Sequence, residues 1–89
     1  MLTIWKSILE ATNVQDIEVP GGAEFLHARE QHGAIAVWYR CDPNAPKERR
    51  KIAICGTGHT TVPPRDGSRY IGTASLHDGH LILHVFELA

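Results

Sequence analysis

No apolar run in this 89-residue chain approaches the roughly 18 residues that cross a bilayer as a helix. The amino terminus, Met1-Leu2-Thr3-Ile4-Trp5-Lys6, lacks the basic start and continuous apolar stretch of a secretory signal. Together these absences point to a cytoplasmic protein with no membrane partner. A basic excess is missing as well: 9 Lys and Arg face 10 Asp and Glu, a formal net charge of −1. Dedicated nucleic-acid binders are usually strongly basic, so direct binding of DNA or RNA is not expected. Cysteine is scarce. Cys41 and Cys55 are the only two, and in a cytoplasmic chain they read as reduced thiols, lying out of register on neighbouring strands.

Catalytic and metal-binding patterns are also missing. No serine sits in a nucleophile elbow, and neither cysteine belongs to a Cys-x-x-Cys motif. The carboxylates are scattered, with no pair placed by spacing for acid–base work. His59-Thr60-Thr61 matches the His-x-Thr element of two-histidine phosphoesterases, but the second copy those enzymes require is absent. Histidine is abundant, with 6 residues, and zinc would need three or four of its ligands to converge. His77 and His80 could approach across a turn. His84 lies four residues further along the strand, roughly 13 Å from His80, too far to share the shell. No metal, cofactor or enzymatic activity is therefore expected.

What the sequence does contain is turn signals separated by short alternating apolar stretches, the pattern of a small antiparallel β-sandwich or barrel of about seven strands. Residues 3–9 and 14–19 are the first strand candidates, the second closed by Pro20-Gly21-Gly22. A helix over 2–11 competes, but Thr3, Ile4, Trp5 and Ile8 favour strand. Residues 23–31 and 34–41 form a hairpin closed on His32-Gly33, with Gln31 facing Ala34, Ala28 facing Val37 and Leu26 facing Tyr39. Apolar residues on both faces of that pair predict cover on both sides. Residues 70–76 and 81–88 form a second hairpin turning at Asp78-Gly79, with His77 and His80 as cross-strand neighbours and Leu76 opposite Leu81. On its second face lie Thr73, His84, Ile71 and Phe86. The apolar Ile71 and Phe86 among them predict contact with another sheet or subunit.

Two stretches suggest binding. Gly56-Thr57-Gly58-His59 follows a strand, as phosphate loops do, but Val62-Pro63-Pro64 excludes the helix whose amide groups would hold a nucleotide phosphate. A tight turn and a backbone concavity for an anion both remain open. Lys47-Glu48-Arg49-Arg50-Lys51 is the one basic cluster. It reads either as a solvated edge that discourages strand pairing or as an anion contact.

Several segments together resemble a family of similarly small proteins from phages, prophages and bacteria that has no assigned function. They are Ile4-Trp5-Lys6, Ile17-Glu18-Val19-Pro20-Gly21-Gly22-Ala23, Asp42-Pro43, Gly56-Thr57-Gly58-His59, Tyr70-Ile71-Gly72-Thr73 and His84-Val85-Phe86-Glu87. The resemblance implies a phage-type accessory protein in the host cytoplasm. Such a protein would act by stoichiometric binding, as a counter-defence inhibitor of a host defence protein or a sequesterer of a signalling nucleotide. The expected binding region is Arg49, Arg50, Gly56, Thr57, Gly58 and His59, with His84 and Phe86 behind it. The alternatives are a structural homo-oligomer joined through β-edges and a small hydrolase acting through His59 or His84.

Overall fold

The computed structural model describes residues 1–89. The chain forms seven strands: β1 (Thr3–Leu9), β2 (Val14–Pro20), β3 (Glu24–Gln31), β4 (Ala34–Cys41), β5 (Lys47–Gly56), β6 (Ser68–Leu76) and β7 (Leu81–Leu88). They make two antiparallel sheets, one in the order β1-β4-β3 and one in the order β2-β5-β7-β6. Of the two expected architectures, this is the sandwich. Residues 2–11 do not form a helix: β1 pairs with β4 from Thr3 opposite Cys41 to Leu9 opposite Ile35, as its β-branched and aromatic residues favour. No helix is long and apolar enough to cross a membrane.

The core is the set of side chains caught between the sheets. Leu9, Phe25, Ala28, Ile35, Val37 and Tyr39 meet Val19, Ile52, Ile54, Ile71, Ala74 and Val85. Each large apolar side chain buried here stabilises the fold by about 1.5–3 kcal/mol before the entropy cost of ordering it. The sheets come closest where β3 lies on β6, and Gly72 permits that approach.

Two bulges correct the expected faces. Between Phe25 and His27 the register with β4 shifts by one, so Phe25, not Leu26, lies opposite Tyr39. Phe25 turns into the core, its ring edge-on to Tyr39 at 5.8 Å, while Leu26 is exposed. A second shift between Tyr70 and Gly72 adds Ile71 as an extra residue and buries it in the core, away from the face shared by Phe86 and His84. An extra residue reverses the in-out alternation of a strand, and alternation alone does not reveal where it is inserted. The β3–β4 pair is also covered on one side only. Its other face carries Trp38, flanked by His27 and by the Arg29 guanidinium 5.5 Å from the ring centroid.

The His32-Gly33 hairpin forms as expected, with φ of 52° and 82° and Gln31 opposite Ala34. In the second hairpin Leu76 does face Leu81, but the connection is a four-residue loop, not a two-residue turn. His77–Gly79 form a 3-10 turn in which the His80 amide donates to the His77 carbonyl at 3.0 Å. His77 and His80 are therefore ends of one turn, not a cross-strand pair. Cys41 and Cys55 are buried free thiols, and they lie in different sheets because the 42–46 loop carries the chain across the sandwich.

Strand order explains the proline-rich segment. β5 and β6 are both antiparallel to β7, which lies between them, so they run parallel to each other. The connection 57–67 must travel back along the sheet to begin β6. Proline suits such an extended strap because it needs no ladder hydrogen bond. Val62, Pro63 and Pro64 line a groove of about 420 Å³ with Val14, Ala53 and Leu88 on the outer face of the four-stranded sheet. The strap is pinned by a hydrogen bond from the Ser68 hydroxyl to the Pro64 carbonyl and by another from the Ala89 amide to the Gly67 carbonyl at 2.7 Å.

Candidate functional site

The outer face of the four-stranded sheet carries the side chains with the most chemistry. In the β6–β7 register Thr73 lies opposite His84 and Tyr70 opposite Phe86. In the β5–β7 register Cys55 lies opposite His84, so the end of β5 delivers Thr57 beside the same imidazole. His84 Nε2 is 2.7 Å from Thr57 Oγ1, and its Nδ1 is 3.1 Å from Thr73 Oγ1. Thr73 Oγ1 is in turn 2.5 Å from the Tyr70 hydroxyl. The result is a continuous hydrogen-bonded line, Thr57–His84–Thr73–Tyr70, crossing three strands.

A hydroxyl can both donate and accept, so the line suits either neutral tautomer of His84 and also the imidazolium. No carboxylate takes part in it. The arrangement orients a ring and leaves Tyr70, 56% exposed, at its open end. The Tyr70 ring meets Phe86 edge-on with centroids 5.6 Å apart. An aromatic pair rooted in the sheet and tipped with a fixed hydroxyl presents apolar area and a directed hydrogen bond together.

Gly56, Thr57, Gly58 and His59 form the turn at the head of the strap. His59 folds back so that its Nδ1 accepts the Gly56 amide at 3.2 Å, while its own amide donates to the Gly56 carbonyl at 3.1 Å. The His59 ring fills the space that a β-carbon at Gly56 would occupy, with Cε1 only 2.8 Å from that position. Gly58 has φ of 85°, which a residue with a β-carbon rarely adopts. The segment adopts the expected tight turn. His59, Thr60 and Thr61 line an open polar hollow of about 430 Å³ beside Asn13 and Gly58.

The basic cluster is divided between the two faces of β5. Arg49 is exposed on the outer face, opposite Glu18. Arg50 points inward at the end of the sandwich. It makes a two-pronged ion pair with Glu87, with Nη2 3.1 Å from Oε1. Nη1 donates to the Ala23 carbonyl at 2.9 Å and to Glu48 at 3.0 Å, and the guanidinium lies 5.0 Å from the Phe25 centroid. The Glu87 hydrogen bonds, opposed by burial, raise its pKa further above an already basic value. Arg50 ties β5 to β7 at the end of the core, with four of its five donors engaged, and it lines a surface hollow of about 420 Å³ beside Arg49 and Lys51.

Gly56, Thr57, Gly58, His59, His84 and Phe86 thus share one region, while Arg49 and Arg50 line a separate hollow further along β5, Arg50 with most of its donors held by Glu87, Glu48 and Ala23. Sequence reasoning passed over Tyr70 and Thr73 as site residues. The signal was available for Thr73, because pairing Leu76 with Leu81 already sets it opposite His84. Tyr70 was hidden by the bulge at Ile71. The adjacent Cys55 thiol is buried, and burial pushes its pKa above the ordinary 9.0. No three His, Cys, Asp or Glu side chains draw together as metal ligands would.

No curated protein and no solved structure matches the chain. The family model of a domain of unknown function (DUF7352) matches residues 1–89. The strap, the hydroxyl–imidazole line and the Arg50–Glu87 pair all lie within that match, and the protein belongs to this family.

Proposed function

We propose that the protein acts by stoichiometric binding of a protein partner through the outer face of the four-stranded sheet, centred on Tyr70, Phe86 and His84. The observation that carries this reading is the exposed Tyr70 ring, held edge-on against Phe86 with its hydroxyl fixed through Thr73 to His84. Rigid aromatics with a directed polar tip are common binding anchors, because little side-chain entropy remains to be lost. The concavities along this face are shallow and polar or line the strap, which favours a broad contact over an enclosed small molecule. Following the resemblance seen in the sequence, the partner is a host defence protein and the protein a phage-type counter-defence inhibitor acting in the host cytoplasm.

Native mass spectrometry of the protein purified from its own host cells tests this reading. The expected result is a complex with a second polypeptide that is lost in Tyr70→Ala and weakened in His84→Ala. A retained mass of nucleotide size, released intact on heat denaturation, would replace the protein partner with a sequestered signalling nucleotide. Turnover of a cyclic dinucleotide that disappears in His59→Ala or His84→Ala would overturn binding in favour of hydrolysis.

A further inference from the structure

The two sheets have four edge strands, and three carry features that discourage pairing with another chain. β3 and β6 each contain a bulge. β2 ends in Pro20 and alternates Asp16 and Glu18 along its outer face. Bulges, prolines and charges are the usual means by which sheet edges avoid association. β1 differs. Its register with β4 is unbroken over all seven residues, it has no proline, and its one charge is Lys6. The Lys6 ammonium is drawn back across β4 to Gln31 Oε1 at 2.5 Å, away from the open edge.

β1 is also apolar where it is exposed. Ile4 is 58% exposed and Ile8 54% exposed on the outer face, and Trp5 remains 38% exposed on the inner face. Leu9 at the strand's end enters the core, and Trp5 lies under the Lys47 ammonium of β5, 5.9 Å from the ring centroid; the rest of the strand packs against β4. An edge strand with free amides and carbonyls on one side, and exposed isoleucines beside them, calls for another strand.

We infer that β1 is a self-association edge, pairing antiparallel with β1 of a second copy to join two three-stranded sheets into one of six strands. Charge excludes one register, and the matching of exposed apolar residues (Leu2, Trp5 and Ile8) selects among the others. Centring on Ser7 would oppose Ile4 to Glu10 and Trp5 to the buried Leu9. Directly opposed residues of antiparallel strands project from the same face. Centring the two-fold axis on Lys6 would set two ammonium groups opposite each other, which is unfavourable. Centring it on Trp5 sets the two indoles together, Ile4 opposite Lys6 and Leu2 opposite Ile8, with no like charges opposed. The axis is normal to the sheet, so both four-stranded sheets lie on the same side of the joined sheet. This pairing is independent of the binding reading above, since the outer face of the four-stranded sheet takes no part in it.

Sedimentation equilibrium of the full chain, with Ile4→Lys and Ile4→Glu, tests the edge and its register. The wild type is expected to be a reversible dimer. Ile4→Lys puts lysine opposite Lys6 twice per dimer and is expected to raise the dissociation constant roughly tenfold. Ile4→Glu puts a carboxylate in the same two places and is expected to leave it unchanged or lower it. A wild type monomeric into the millimolar range, equal weakening by both variants, or a dimer indifferent to both would each overturn the inference. Concentration-dependent amide exchange of the unmodified protein gives a readout free of any folding defect. Protection of β1 amides is expected to rise with concentration, and protection independent of concentration would also overturn it.

Discussion

Gly72 sits directly on the backbone of Ala28. A β-carbon at position 72 would lie 2.3 Å from the Ala28 carbonyl oxygen and 2.6 Å from its amide nitrogen. Backbone atoms cannot turn aside as a side-chain tip can, so a methyl group there would force the two sheets apart. Gly72→Ala is expected to cost about 3 kcal/mol in urea unfolding. Ser75→Ala, exposed on the same strand, should stay within about 0.5 kcal/mol of wild type.

Arg50 and Glu87 belong to the fold. Replacing Glu87 by Gln leaves a largely buried guanidinium without its two-pronged carboxylate and is expected to cost about 2 kcal/mol. Arg50→Lys should cost a similar amount despite keeping the charge, because ammonium cannot reproduce the fork that reaches Glu87, Glu48 and the Ala23 carbonyl together. Arg49→Lys, on the exposed face, should change the urea midpoint negligibly. Equal effects at positions 49 and 50 would contradict this division of the cluster.

Cys55 makes the alkaline side of the stability profile testable. Burial holds its thiol pKa above the ordinary 9.0, so the unfolded chain ionises first. The neutral thiol's contribution is complete below pH 9.0 and is lost as pH rises through that value towards the raised one in the folded protein. Unfolding midpoints measured from neutral pH to about pH 10 should therefore fall more steeply for wild type than for Cys55→Ala. Parallel profiles would show that the thiol is not desolvated as described.

Thr57 links the strap to His84. Thr57→Val keeps the shape and removes the hydroxyl, so His84 Nε2 loses its 2.7 Å partner. Global stability should fall by less than about 1 kcal/mol, since the pair is exposed. Amide exchange at the head of the strap should quicken while the β6–β7 ladder is unaffected.

Much of the fold is legible in the sequence where the deciding interactions are local. His32-Gly33 and the Leu76–Leu81 pairing follow from turn chemistry and alternation, and they place Thr73 opposite His84 correctly. The errors begin where one inserted residue reverses a face. Nothing near Leu26 marks the bulge that buries Phe25, whereas Gly72, a glycine inside a strand, was a signal of the bulge at Ile71 that alternation alone overlooks. Arg50 looked like its neighbour Arg49 because Glu87, 37 positions away, becomes its partner only when β5 and β7 pair. The 57–67 segment was legible as irregular from its prolines. That it runs as a strap across an outer sheet face follows from strand order, which alternation does not encode.

The order in which strands join the two sheets governs how the chain must fold. β1 pairs with β4 in one sheet, while β2, which comes between them, waits for β5 in the other. Only β3–β4 and β6–β7 are neighbours both in sequence and in space, so only those two hairpins can form early from local contacts. Each sheet contains a strand whose partner lies beyond a segment belonging to the other, so completing either one requires closing a long loop. With most contacts made between distant parts of the chain, slow folding and a single cooperative unfolding transition are the expected behaviour.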